Sequence, residues 1–118
     1  MHSTVTIWHN PRCGKSREAL KLLEEEGITP EIVRYLDDVP TETQLRDLLA
    51  MLGIGARDLM RTKEAIYKEL GLKDVTDEAA LIKAMTEHPK LIERPVVITN
   101  GKAVIGRPPE KVVDLVKA

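Results

Sequence analysis

Every strand-forming run in this chain lies near one of its two ends, and that distribution limits the folds open to it. Val5 to Trp8 is a short β-rich run ending at His9, where Asn10-Pro11 breaks it. A helix follows from about Cys13 to Glu26, with Ala19, Leu20 and Leu23 on one face and Gly27 as its stop. Glu31 to Tyr35 reads as the second strand. Towards the other end, Pro95 to Thr99 and Lys102 to Ile105 flank Asn100-Gly101, the strongest two-residue hairpin signal. Gly106-Arg107-Pro108-Pro109 then leads into a last helix, with Pro109 in its first turn and Val112, Val113 and Val116 facing inward. A sheet has to be assembled from segments that the whole middle of the chain keeps apart.

That middle is helical. Thr41-Glu42-Thr43-Gln44 fits a capping box, and Leu45, Leu48, Leu49 and Leu52 follow at helical spacing. Arg57 to Leu70 carries shorter helical pieces ended by Gly71. Thr76 is placed to cap a further helix that buries Leu81, Ile82 and Met85 and closes at His88-Pro89. No repeat, low-complexity stretch or linker interrupts this order of β-α-β, helical block, β-β-α. The order resembles an α/β thioredoxin-like mixed sheet with a helical insertion between its halves. The expected organisation is one domain over residues 1–118, with a β-α-β half at about 4–36, the insertion at about 41–92 and a β-β-α half at about 93–118. Its core must be aliphatic, because the 118 residues include no Phe, one Trp and two Tyr.

Charge and cysteine usage exclude several classes of function. Eighteen basic residues against nineteen acidic give a net charge of −1, without the basic excess of a nucleic-acid binder. No apolar run approaches the roughly 18 residues of a spanning helix, so no membrane partner is expected. The residues Met1-His2-Ser3-Thr4 lack the basic region and apolar stretch of a signal peptide. A lone thiol also suits a reducing compartment, and the expected location is cytoplasmic. Cys13, the single cysteine, precludes an internal disulfide, a CxxC pair and a cysteine-rich zinc site. If Cys13 does redox chemistry, the second sulfur belongs to another molecule.

The segment from His9 to Arg17 gathers the unusual residues. Cys13 falls at a helix start, where free N–H groups and the helix dipole favour a thiolate. An ordinary thiol, with a pKa near 8.5, is only about 3% ionised at pH 7, so such stabilisation decides its reactivity. Arg12, Lys15 and Arg17 raise the local positive charge, and Ser16, one turn on, can donate a hydrogen bond to the sulfur. These flanks are not those of a buried structural cysteine. His9 reads either as a hydrogen-bonded loop residue or as an imidazolium beside the sulfur. A metal site is not expected, since His2, an exposed tail residue, and His88, at a helix end, have no ligand spacing. Five residues would separate Cys and Arg in a cysteine-phosphatase loop, against three between Cys13 and Arg17, and no nucleotide P-loop pattern is present. The helix start remains a good oxyanion site.

Two Arg-Pro pairs flank the C-terminal hairpin. Pro95 is the proline placed to be the cis residue packed on the Cys loop of a thioredoxin-like fold, which brings Arg94 near Cys13. Arg107 can reach the same sheet edge. Arg61 lies in the helical block, where spacing gives no reason to prefer it over Arg57 or Lys63.

At these residues the chain resembles the glutaredoxin-coupled arsenate reductases. The similarity runs through His9-Asn10-Pro11-x-Cys13-x-x-Ser16-Arg17, Tyr35-Leu36-x-x-x-Pro40, Leu59-Met60-Arg61 and Leu70-Gly71-Leu72. It continues in His88-Pro89-x-Leu91-Ile92-x-Arg94-Pro95 and Gly106-Arg107-Pro108-Pro109-Glu110. The resemblance implies that Cys13 is the nucleophile, that His9 and Ser16 activate it, and that Arg61, Arg94 and Arg107 bind the oxyanion. For Arg61 it is the sole warrant. It also implies arsenate or a similar small oxyanion as substrate, glutathione as co-substrate, glutaredoxin as partner and no bound cofactor.

Two other readings compete with this one. One is a glutathione-linked thiol oxidoreductase of the same fold with another substrate. The other is a non-catalytic RNA polymerase-binding regulator, a class in the same superfamily that uses a CxxC switch. Ser16 stands where that switch needs its second cysteine, so a disulfide switch is impossible here.

Overall fold

The computed structural model describes residues 4–117, so His2 lies outside the described residues. The chain forms two compact units, one from the residues up to Asp38 together with those from Arg94 onward, the other from Val39–Glu93. The first unit holds the sheet. Its strands are β1 (Thr6–Trp8), β2 (Glu31–Val33), β3 (Val96–Thr99) and β4 (Lys102–Ile105), in the order β2-β1-β3-β4. β1 runs parallel to β2 and antiparallel to β3, and β3 pairs antiparallel with β4. Helix α1 (Gly14–Glu25) joins β1 to β2. Together with the last helix this gives the β-α-β and β-β-α halves of the mixed sheet expected from the sequence.

One face of the sheet is dry for a simple reason: side chains alternate along a strand, and the helices supply the complementary apolar stripes. Ile7 and Val97 stand opposite each other in the β1–β3 register. They pack with Val5, Ala19, Leu23 and Val112 in a buried cluster that Ile28, Val104 and Val116 extend. Each such aliphatic side chain contributes about 1.5–3 kcal/mol by leaving water. Helix α1 stops where Gly27 turns left-handed at φ 77°. The N–H groups of Gly27 and Ile28 then close on the carbonyls of Glu24 and Leu23, both at 3.0 Å. Asn100 and Gly101, at φ 53° and 70°, make the hairpin turn that the sequence predicts.

The Val39–Glu93 unit contains α2 (Glu42–Leu52), α3 (Ala56–Leu59), α4 (Ala65–Glu69) and α5 (Glu78–Glu87). Two short 3-10 turns, Leu72–Asp74 and Pro89–Leu91, complete it. The capping box forms: Thr41 Oγ1 accepts from the Gln44 N–H at 3.1 Å and Gln44 Oε1 from the Thr41 N–H at 2.9 Å. Asp77, rather than Thr76, caps α5 by accepting from the Ala79 N–H at 3.2 Å. Its carboxylate both accepts that bond and answers the positive end of the helix dipole, which a hydroxyl does not. Leu81, Ile82 and Met85 are buried, as their spacing requires. Helix α6 (Lys111–Lys117), in the first unit, buries Val112, while Val113 and Val116 are half-buried. No helix among the described residues is long and apolar enough to cross a membrane.

Candidate active site

The site is built on the turn between β1 and α1. β1 ends at Trp8, and the His9 N–H makes one more sheet bond, to the Val33 carbonyl at 2.8 Å. Asn10 then shapes the turn twice. Its carbonyl accepts from the Cys13 N–H and its side-chain Oδ1 from the Arg12 N–H, each at 3.0 Å. Pro11, which has no N–H to satisfy, occupies the exposed corner. Arg17 fastens the far side by donating from Nη1 to the Pro11 carbonyl at 2.9 Å. Cys13 thereby becomes the N-cap of α1, with extended backbone angles and a buried side chain.

Burial alone pushes the Cys13 thiol up. The Ser16 N–H, the positive charge and hydrogen bonding of Arg94, and the Lys15 N–H outweigh it, and the net pKa lies below the ordinary thiol value. The sulfur makes no full capping hydrogen bond, yet the first-turn N–H groups face it and favour the anion. Ser16 reaches the sulfur through its peptide N–H and not its hydroxyl. Fully buried beneath Cys13, the hydroxyl lies 2.6 Å from His9 Nδ1 and accepts from the Asn10 N–H at 3.0 Å.

That arrangement also decides between the two readings of His9. The ring is buried, and burial first, then the charges of Arg34 and Arg17, hold its pKa below the ordinary 6.5. Both causes disfavour the protonated ring and so weigh against the imidazolium reading. Ser16 Oγ accepts from the Asn10 N–H and shares a hydrogen bond with Nδ1, whose direction depends on the ring tautomer. His9 and Asn10, at the end of β1, are thereby tied to Ser16 in the first turn of α1.

Arg94 precedes β3, and its peptide bond to Pro95 is cis, as the sequence predicts; the Arg107–Pro108 bond is cis as well. The Arg94 guanidinium faces Cys13, and its Nε and Nη1 atoms are buried with no hydrogen-bond partner. Buried guanidinium nitrogens are rarely left so, and their chemistry suits an anionic acceptor. Arg107 Nη1 donates to the Arg94 carbonyl at 3.3 Å, which joins these two arginines at one edge. Gly106 makes this close approach possible. A Cβ there would lie 2.8 Å from Pro95 Cγ and 3.1 Å from Val112 Cγ1. The Gly106 N–H instead bonds the Pro95 carbonyl at 2.8 Å.

Arg61 belongs to the helical unit, where its guanidinium pairs with Glu64 and, through Nε at 3.5 Å, with Glu93. Its backbone is held by the Leu91 carbonyl at 2.7 Å. Arg57, the alternative that spacing left open, is spent inside the same unit on Tyr67 Oη and the Leu72 and Val75 carbonyls. Two contributors escaped the sequence reading. Asn10 carries a signal, since Asn before Pro in a turn commonly bonds the backbone two residues on. Arg34 carries none, because only the pairing of β2 with β1 brings it beside His9. Among the described residues no cluster of His, Cys, Asp or Glu could hold a metal ion.

Comparison with known proteins agrees with this geometry. The family model of the ArsC family matches residues 8–115. The arsenate reductase of Neisseria meningitidis is 52% identical over 110 residues, covering 92% of this chain and 94% of that protein. The uncharacterized protein YfgD of Escherichia coli is 57% identical over 118 residues, covering 98% and 99%. The solved structure of an arsenate reductase from Vibrio cholerae superposes with a TM-score of 0.93 at 50% identity, over 97% of this chain and 98% of that one. The thioredoxin-like sheet, the helix-capping cysteine and relatives so alike over nearly their whole length lead to one conclusion: the chain belongs to the ArsC family, the family of the arsenate reductases.

Proposed function

We propose that this protein reduces arsenate to arsenite through Cys13, with glutathione and glutaredoxin supplying the electrons. The observation that carries the reading is the Arg94 guanidinium facing a depressed-pKa thiol while two of its nitrogens stay buried and unpartnered. Arsenate is a tetrahedral dianion near neutral pH, and a thiolate approaches it only where cations cover its oxygens. Arg94 and Arg107 take that role, together with the free N–H groups at the start of α1. Arg61 is the third oxyanion arginine of this proposal, on the strength of its family motif.

The Cys13 thiolate attacks arsenic; a sulfur–arsenic bond forms and one oxygen leaves as water. Glutathione adds to the arsenic in the same way, with loss of a second water. A glutaredoxin thiolate then attacks the glutathione sulfur, and the electron pair of that sulfur–arsenic bond stays on arsenic. Arsenic(V) becomes arsenic(III), and two thiols become one mixed disulfide on glutaredoxin. Hydrolysis releases arsenite and returns the Cys13 thiol. The absence of a second cysteine makes the outside thiols necessary. Steady-state arsenate turnover with glutathione, glutaredoxin and an NADPH-driven relay tests the reading. Turnover that Cys13→Ser abolishes is expected; no rate above that variant sinks the proposal.

A further inference from the structure

The residues just before Cys13 do more than place the sulfur. His9, Pro11 and Arg12 line a cleft of about 380 Å³ with Arg34, Leu36 and Asp37, the segment that follows β2. The cleft lies within the sheet unit, and one of its lining residues is the immediate neighbour of the nucleophile. Among the described residues, neither the Arg12 nor the Arg34 side chain donates a hydrogen bond or meets a carboxylate in an ion pair. Arg17, equally close in sequence, is committed to the Pro11 carbonyl. Asp37 shares the cleft without pairing to either arginine. Leu36 adds an exposed apolar surface beside them.

Two free guanidiniums, one carboxylate and an apolar patch next to a reactive thiol describe a complementary ligand. It has two carboxylates, one ammonium, a short aliphatic body and a sulfur. We infer that this cleft is the docking site of the peptide thiol, with the carboxylates of glutathione on Arg12 and Arg34 and its ammonium towards Asp37. The inference rests on the proposed function for the need of an outside thiol, and it assigns that thiol its own site apart from the oxyanion arginines. The incoming sulfur then approaches from the β2 side of the loop and does not compete with the oxyanion for Arg94 and Arg107.

The test requires no arsenic. The Cys13 thiolate attacks one sulfur of glutathione disulfide, the sulfur–sulfur bond breaks, a mixed disulfide forms on Cys13 and one glutathione thiolate leaves. The rate of this exchange is followed by mass spectrometry and divided by the rate with neutral 2-hydroxyethyl disulfide. That ratio cancels any general change in thiolate reactivity. Loss of a charge-assisted hydrogen bond in Arg34→Gln or Arg12→Gln is expected to lower the ratio about tenfold. Lys21→Gln removes one positive charge from the exposed face of α1, outside the cleft, and should leave the ratio within about twofold, because screened charge alone discriminates weakly. An unchanged ratio in both cleft variants overturns the site. An equal fall in Lys21→Gln overturns it too, since only the general field would then be at work. Failure of arsenate turnover leaves these ratios standing, so the two readings fail separately.

Discussion

Ser16→Ala separates a serine that activates sulfur through its hydroxyl from one that only holds the loop. The side chain is fully buried, and its oxygen serves His9 Nδ1 at 2.6 Å and the Asn10 N–H at 3.0 Å. Alanine leaves both groups without that partner. An unsatisfied buried polar group costs about 1–3 kcal/mol, and the part-buried Asn10 N–H falls at the lower end because water can replace the oxygen. The expected loss is thus about 2–3 kcal/mol, or a fall in Tm of roughly 10 °C for a domain of this size. The peptide N–H of residue 16 survives the substitution, as do the Lys15 N–H and Arg94. The Cys13 pKa should therefore stay below the ordinary thiol value. Thermal unfolding by circular dichroism gives the first quantity, and the pH dependence of thiolate absorbance or alkylation the second. An unmoved Tm together with a thiol returned to its ordinary pKa would refute the reasoning, because it would mean that the hydroxyl serves the sulfur.

Two further outcomes follow from the same geometry. Arg94→Lys keeps the charge but loses the planar fork, so arsenate or sulfate should protect Cys13 from alkylation about tenfold less tightly, and unchanged protection rejects Arg94 as an oxyanion group. His9 is a base whose folded pKa lies below the ordinary 6.5, so the unfolded chain binds more protons between those two values and stability rises with pH there. Its contribution is full above about pH 6.5 and is lost as the pH falls through the folded value; urea unfolding at pH 7.5 and pH 5.5 should show a smaller difference in His9→Gln than in the native protein, and equal differences contradict the assignment.

The parts of this molecule that could be read from sequence are those whose causes are local. Thr41 and Gln44 satisfy each other across one turn, Asn100-Gly101 supplies the φ angles of its hairpin, and Gly27 ends α1 because nothing else turns left-handed as cheaply. Where two neighbours could do the same work, as Thr76 and Asp77 can at the start of α5, the pattern names the region and leaves the residue open. Strand ends drifted for a related reason: Tyr35 is as β-prone as Val33, but the ladder to β1 ends at Val33. In the site, Cys13 at a helix start follows from a short segment, and the cis bond before Pro95 from the likeness to a thioredoxin-like fold. The protonation of His9 and the direction of the Ser16 hydroxyl do not. The first depends on burial and on Arg34, which sequence separation hides and the β1–β2 pairing supplies, and the second on the turn that brings Ser16 to His9 and Asn10.

The antiparallel pairing of β1 with β3 has a consequence for the life of the thiol before folding ends. Cys13 hangs from the end of one strand and Arg94 from the start of the other, 81 positions later in the chain. During synthesis the cysteine is added 81 residues before its guanidinium neighbour. Until the two strands zip together, the sulfur has only its own helix turn to ionise it. Reactivity is thus withheld by topology: an unfinished or misfolded chain presents a more ordinary thiol to oxidants. Completion of the sheet is what arms it.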